Sequence, residues 1–125
     1  MKVRIGVSLG PAGGPDQFAA AVDLLEQAGV DSLWLPEMVY SPLVEPFTGM
    51  TFALAKTAHL KVGSGISVLP GRHPVLVAKQ LASLAGLTPG RVRPVFGLSA
   101  GTSPRQSPNG ETNTSITPTE RGAST

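Results

Sequence analysis

Along residues 1–100 the apolar positions switch repeatedly between two periods. Val3-Arg4-Ile5-Gly6-Val7 alternates and is rich in branched side chains, which predicts a strand over residues 3–7. Phe18, Val22 and Leu25 then recur three and four apart, with Ala21 and Ala28 beside them. They predict a helix opened by Pro15 and Asp16, with Asp23, Glu26 and Gln27 facing water and Gly29 as the cap. VDSLWL (30–35) is a second strand, ended by Pro36. After a loop over 37–45, Pro46 starts a helix through Phe47, Met50, Leu54 and Thr57.

The third strand begins at Lys61. Gly63, Ser64 and Gly65 are too small to fill a core, so Val62, Ile66 and Val68 are expected to carry its apolar side. Two glycines within a strand mark a bulge, or a place where another backbone or a ligand comes close. Pro74 opens a third helix on Val77, Leu81 and Leu84, and Gly86 is placed to end it. Residues 91–97 form a fourth strand, in which Pro94 implies a bulge or an N–H direction facing no partner.

These elements repeat. Ile5, Leu33, Val62 and Val92 occupy equivalent strand positions, separated by 28, 29 and 30 residues. Strand, loop, helix and short turn at that period is the βαβ unit, which predicts one parallel sheet in the order 1-2-3-4. Long loops follow the strands and short turns follow the helices. Functional residues in such folds gather beyond the strands' C-terminal ends. Ser8, Glu37, residues 64–67 and residues 97–99 are therefore expected to converge on one face.

Composition narrows the function. The 125 residues suffice for one small core but fall well short of the roughly 250 of a complete (β/α)8 barrel. A net charge of +2 with no basic run and few aromatics gives nucleic-acid binding little support. With no cysteine there is no disulfide framework, and His59 and His73 have no ligand spacing, so no metal site is expected. His59 suits the end of a helix dipole, and His73 suits either a coenzyme's tail or the cap of the helix at Pro74. Arg4, Pro11 and the glycines interrupt any signal sequence. No run of 18 apolar residues would span a membrane, so the expected location is cytoplasmic. Gly63-Ser64-Gly65 starts like a dinucleotide fingerprint, but Val68 stands where the third glycine belongs. Residues 97–101 spell G-x-S-x-G with no histidine following to complete a triad. Residues 101–125 are dominated by Ser, Thr, Pro and Gly, with Ile116 the one large apolar side chain. They are expected to be disordered. Two origins stand for this segment: a tail proper to the protein, or a change of reading frame within a gene for a full-length barrel.

LKVGSGISVLPGRHPVLVAKQLASL (60–84), DSLWLPE (31–37) and RVRPVFGL (91–98), in that order and spacing, resemble the luciferase-like monooxygenases, and within them the oxidoreductases dependent on the deazaflavin coenzyme F-420. The resemblance covers most of residues 1–98 and does not continue into residues 101–125. It implies an α/β chain, a partial TIM (β/α)8 barrel comprising the first three βα units plus a fourth parallel strand. It implies hydride transfer with a deazaflavin or, alternatively, FMN, acting on a small-molecule substrate. It also implies that the later half of the barrel, which grips the coenzyme's phosphate, is missing here, so that activity is expected to be lost. The family's third-strand bulge, a non-proline cis peptide backing the coenzyme ring, aligns with Gly65-Ile66. An ordinary trans bond at a glycine-rich strand end is the alternative. The resemblance places Ser64, Gly65, Ile66, Ser67 and Gly97 at the coenzyme. Glu37 takes the place of an acid that many relatives follow with histidine. Here Met38 follows, so Glu37 reads either as an acid–base residue or as a solvated glutamate. The contrasting reading of the whole chain is a non-enzymatic half-barrel that self-associates through its exposed sheet edges.

Overall fold

Three prolines set the helix starts. Pro15, Pro46 and Pro74 each take the first helical position, where a missing N–H costs nothing. They open α1 (Pro15–Gln27), α2 (Pro46–Lys56) and α3 (Pro74–Leu87). Glu45 caps α2, its carboxylate accepting from the N–H groups of Phe47 at 3.0 Å and Thr48 at 2.8 Å. His73 caps α3, Nδ1 accepting from Val75 N–H at 3.3 Å. Gly29, with φ of 70°, closes α1 as expected. Gly86 does not end α3. The helix runs on to Leu87, Thr88 Oγ1 donates to Leu84 O at 2.7 Å, and the left-handed turn falls at Gly90, with φ of 74°. A glycine ends a helix only where the chain needs positive φ, and here that place is four residues further on.

The computed structural model describes residues 3–10 and 14–98. Ser99 and the expected disorder of residues 101–125 lie outside them. Strands β1 (Gly6–Ser8), β2 (Ser32–Leu35), β3 (Lys61–Ser64) and β5 (Val92–Arg93) form one parallel sheet in that order. The predicted order 1-2-3-4 is found. The register aligns Val7, Leu33, Val62 and Val92. Val7, not Ile5, is thus the first strand's equivalent position. Ile5 precedes the ladder, its carbonyl accepting from Asp31 N–H at 3.0 Å and Ser32 N–H at 3.3 Å.

The third and fourth strands both break and resume. β4 (Ser67–Val68) and β6 (Phe96–Gly97) form a separate parallel pair beyond the main sheet. The breaks fall at Gly65-Ile66, where the peptide bond is cis, and at Pro94-Val95. An inserted residue shifts the alternation of side chains by one, so the inward positions run Val62, Ser64, Ser67. Val62 is buried as expected, whereas Ile66 and Val68 are only partly so, and the hydroxyls of Ser64 and Ser67 take the interior positions. The Ser64 side chain repairs the ladder there. Its Oγ donates to Val95 O at 2.8 Å and accepts from Val95 N–H at 3.0 Å.

Helix α2 lies over the centre of the sheet. Leu33, Met50, Leu54, Leu60 and Val62 are all but inaccessible beneath and beside it. Each such side chain contributes about 1.5–3 kcal/mol on burial, so this layer dominates the core. Phe18 and Val22 of α1 and Val77 and Leu84 of α3 close its flanks. At the N-terminal ends of the strands the chain is tied by charges. Glu26, expected to face water, accepts from the N–H groups of Ala58, His59 and Leu60 at 2.8, 2.9 and 2.8 Å. Burial pushes its carboxyl up, but the three N–H donors and the His59 charge outweigh that and hold its pKa below the ordinary value of 4.5. Arg91 donates to Leu60 O at 3.0 Å, Leu54 O at 3.3 Å and Thr57 Oγ1 at 2.5 Å, tying β5 to the end of α2.

Candidate functional site

Parallel strands place Ser8, Glu37, Gly65 and Gly97 at one end of the sheet. Ser8 stands in register with Trp34, and Trp34 lies beside Gly65. A Cβ built on Gly65 would sit 3.6 Å from Trp34 Cβ and 3.7 Å from Cε3, in ordinary contact. Trp34 shares its face of β2 with Ser32, to whose Oγ its Nε1 donates at 3.0 Å, while Leu33 and Leu35 point into the core. Gly65 is exposed between the fully buried Ser64 and Ser67. Bare backbone therefore faces outward at this point, beside the flank of an indole.

The neighbouring glycines do other work. At Gly63 a Cβ would lie 2.1 Å from the carbonyl oxygen of Arg93, so it is the adjacent strand's backbone that comes close there. At Gly97 a Cβ would meet Ile66 Cδ1 at 2.1 Å, so Gly97 makes room for the Ile66 side chain. The Ser64 hydroxyl is engaged with Val95, and Ser67 Oγ is buried without a protein partner. Of residues 64–67, Gly65 and Ile66 are the accessible ones.

Glu37 is not solvated. Its side chain is 9% exposed and both carboxylate oxygens are engaged, one by Val68 N–H and the other by Arg72 Nη2. Its own backbone N–H donates to Ile66 O at 3.2 Å. Arg72 Nη2 also donates to Glu45 Oε1 at 3.0 Å, and the guanidinium lies 5.0 Å from the centroid of the Phe47 ring. Phe47 in turn packs against Phe96 of β6, with centroids 6.3 Å apart. Arg72 thus joins the loops that follow the second and third strands. The sequence offered little to find it: its partners lie 35 and 27 positions away, beyond any local pattern. Trp34 was legible as a strand residue but not as the neighbour of Gly65.

A cavity of about 330 Å³ opens between the starts of α2 and α3, walled by Glu45, Phe47, Arg72, His73 and Leu76. Neither Trp34 nor Gly65 lines it, so it is separate from the exposed backbone at Gly65. His73 lies here as the cap of α3. Among the described residues no group of three His, Cys, Asp or Glu side chains gathers as a metal ion would need, and no helix is long and apolar enough to cross a membrane.

Comparison with known proteins bears on the fold and the family. The coenzyme F-420 dependent tetrahydromethanopterin reductase of Methanopyrus kandleri superposes on 80% of the chain with a TM-score of 0.67 and 25% identity. The FMN-bound oxygenating constituent of 3,6-diketocamphane monooxygenase from Pseudomonas putida has the same fold, with a TM-score of 0.69 over 80% of the chain at 19% identity. 4-Hydroxyprotoasukamycin monooxygenase of Streptomyces nodosus subsp. asukaensis is 31% identical over 83 residues, 64% of the chain. The chain spans 28% and 30% of the two solved structures and 22% of the curated relative. These neighbours and the parallel βα repeat make the fold a partial (β/α)8 barrel. The family model for luciferase-like monooxygenases matches residues 1–120, and the chain belongs to that family.

Proposed function

We propose that this chain forms the ring-facing wall of an oxidoreductase site that uses a deazaflavin, coenzyme F-420, or alternatively FMN, to act on a small-molecule substrate. The observation that carries the reading is the exposed backbone at Gly65, beside Trp34 and at the C-terminal end of the sheet. Without a Cβ the backbone admits a flat ring to close approach. Family membership and the coenzyme F-420 dependence of the Methanopyrus kandleri reductase support the choice of ring. When bound, such a coenzyme supplies the hydride chemistry, at C5 in the deazaflavin. The residues of this chain orient the ring and exclude water on one side. Ile66, held in place by its fit against Gly97, and Trp34 supply the apolar wall. Ser64 and Ser67 support that wall from within.

The phosphate end of the coenzyme finds little here. The loops bring Arg72 to this end of the sheet, and Glu37 and Glu45 hold it. Binding by the 125-residue chain alone is therefore expected to be weak and turnover absent. Trp34 is the single tryptophan, so its fluorescence reports a ring beside Gly65. Titration with coenzyme F-420 and with FMN should quench it saturably, with Kd well above micromolar. Absence of saturable quenching by either would remove the coenzyme reading. Sub-micromolar binding would show that this part of the barrel is sufficient. A second reading, self-association, is favoured by sheet edges that no described strand covers, where Val3, Ile5, Val95 and Leu98 are exposed.

A further inference from the structure

We infer that Glu37 and Arg72 are positioning residues: Arg72 fixes the Glu37 carboxylate, and Glu37 fixes the backbone from Ile66, within the break between β3 and β4, to Val68 in the resumed strand. The inference rests on the reading of that break as the ring-facing wall. Three contacts carry it. Glu37 N–H donates to Ile66 O at 3.2 Å, before the resumed strand. One Glu37 carboxylate oxygen accepts from Val68 N–H, within it. The other accepts from Arg72, which is itself anchored by Glu45 at 3.0 Å and seated over Phe47.

The main sheet cannot do this work. Gly65 N–H donates to Leu35 O at 2.8 Å, the last bond from the third strand to β2. Beyond it β4 pairs with β6 and leaves β2 behind. Glu37, just past the end of β2, takes over where that ladder stops. A carboxylate with both oxygens occupied and 9% of its side chain exposed is poorly placed to exchange protons with a substrate. A charge-assisted bond to a backbone N–H is strong and directional, which is what holding a short two-residue strand requires. The bond from Arg72 holds the carboxylate in one rotamer. Glu37 acts through the position of Ile66 and Val68, and Arg72 acts through Glu37.

Amide hydrogen exchange on the 125-residue chain, read residue by residue, tests the clasp without any coenzyme. In Glu37→Ala and in Arg72→Met, exchange at Val68 should quicken about tenfold or more, while Val62 and Leu54 in the core stay within about twofold of the unaltered chain. Glu37→Gln keeps an acceptor for Val68 N–H but loses the ion pair, and should fall between. FMN quenching of Trp34 supplies the second readout. Its apparent affinity should drop several-fold in Glu37→Ala and recover in large part in Glu37→Gln, with thermal midpoints little changed. Unaltered exchange at Val68 in Glu37→Ala would overturn the inference, as would equal loss of FMN affinity in the Ala and Gln variants. If neither FMN nor coenzyme F-420 quenches Trp34 in the unaltered chain, the coenzyme reading falls and the exchange rates still decide whether the clasp exists.

Discussion

Two glycines two positions apart face opposite demands. Gly63 is buried against the next strand, and a methyl group there would sit 2.1 Å from the carbonyl oxygen of Arg93. No flexible side chain can yield, so the strands must part. Gly63→Ala is expected to cost about 3 kcal/mol or more, at the upper end of overpacking penalties, read as a fall in the denaturant midpoint. Gly65 is exposed, and its added methyl would rest 3.6 Å from Trp34. Gly65→Ala should change stability by less than about 1 kcal/mol but weaken FMN quenching of Trp34, because the methyl occupies the ring's place. If the two variants lost stability equally, the assignment of one glycine to packing and the other to ligand approach would be wrong. The sequence showed that this stretch needed small residues. It could not apportion them, because the neighbour that decides Gly63 lies 30 positions along the chain, across a strand pairing.

Element by element, the helix starts were legible and some of the ends were not. Proline at the first helical position is a local rule, and all three helices obey it. The end of α3 depends on where the chain turns toward β5, and that turn falls at Gly90. Gly86, in contrast, lies inside the helix with nothing within 4 Å of an added Cβ. Gly86→Ala should therefore stabilise the chain by about 0.5–1 kcal/mol. A drop in thermal midpoint would instead mean that Gly86 ends the helix after all. The alternation rule placed Val62 correctly and misplaced Ile66 and Val68, because it carries no allowance for an inserted residue. Glu26 was misread for a related reason. Helical spacing puts it on the outer face of α1, yet its carboxylate reaches the turn before β3. Its folded pKa is lowered, so its contribution is complete above the ordinary value of 4.5 and is lost as pH falls through the lowered one. Glu26→Gln should cost about 1–2 kcal/mol at neutral pH, by analogy with helix caps. The gap from the unaltered chain should close in acid below pH 4.5. A gap independent of pH would show that the charge of Glu26 is not what holds residues 58–60.

At the scale of the whole molecule, the parallel sheet and its order follow from the near-constant spacing of strands, since right-handed βα crossovers leave few other topologies. Among the described residues no strand pairs beyond β1 or β5, the two edges of the same sheet. Both edges run in one direction, so β1 of one copy can pair in parallel with β5 of another. Eight strands are the number at which such a barrel closes with its interior filled by side chains, and two copies of this four-stranded sheet supply them. Val3 and Ile5 line the approach to one edge, Val95 and Leu98 lie by the other, and all four are exposed. The outer flank of α3 adds Val75, Leu76 and Leu87. Unpaired edges are templates for association, and the exposed Arg4 and Arg93 are the charges that stand beside these two. A C2 pairing uses both edges of both copies and leaves none to propagate. We therefore expect the isolated chain to form dimers in sedimentation velocity as its concentration rises through the micromolar range, without larger polymers. Ile5→Lys and Val95→Lys place a charge at each edge, away from the buried layer under α2, and should return the chain to monomer with its helical content intact. A chain that stays monomeric at high micromolar concentration, or whose assembly ignores both substitutions, would show that these edges are not where copies meet.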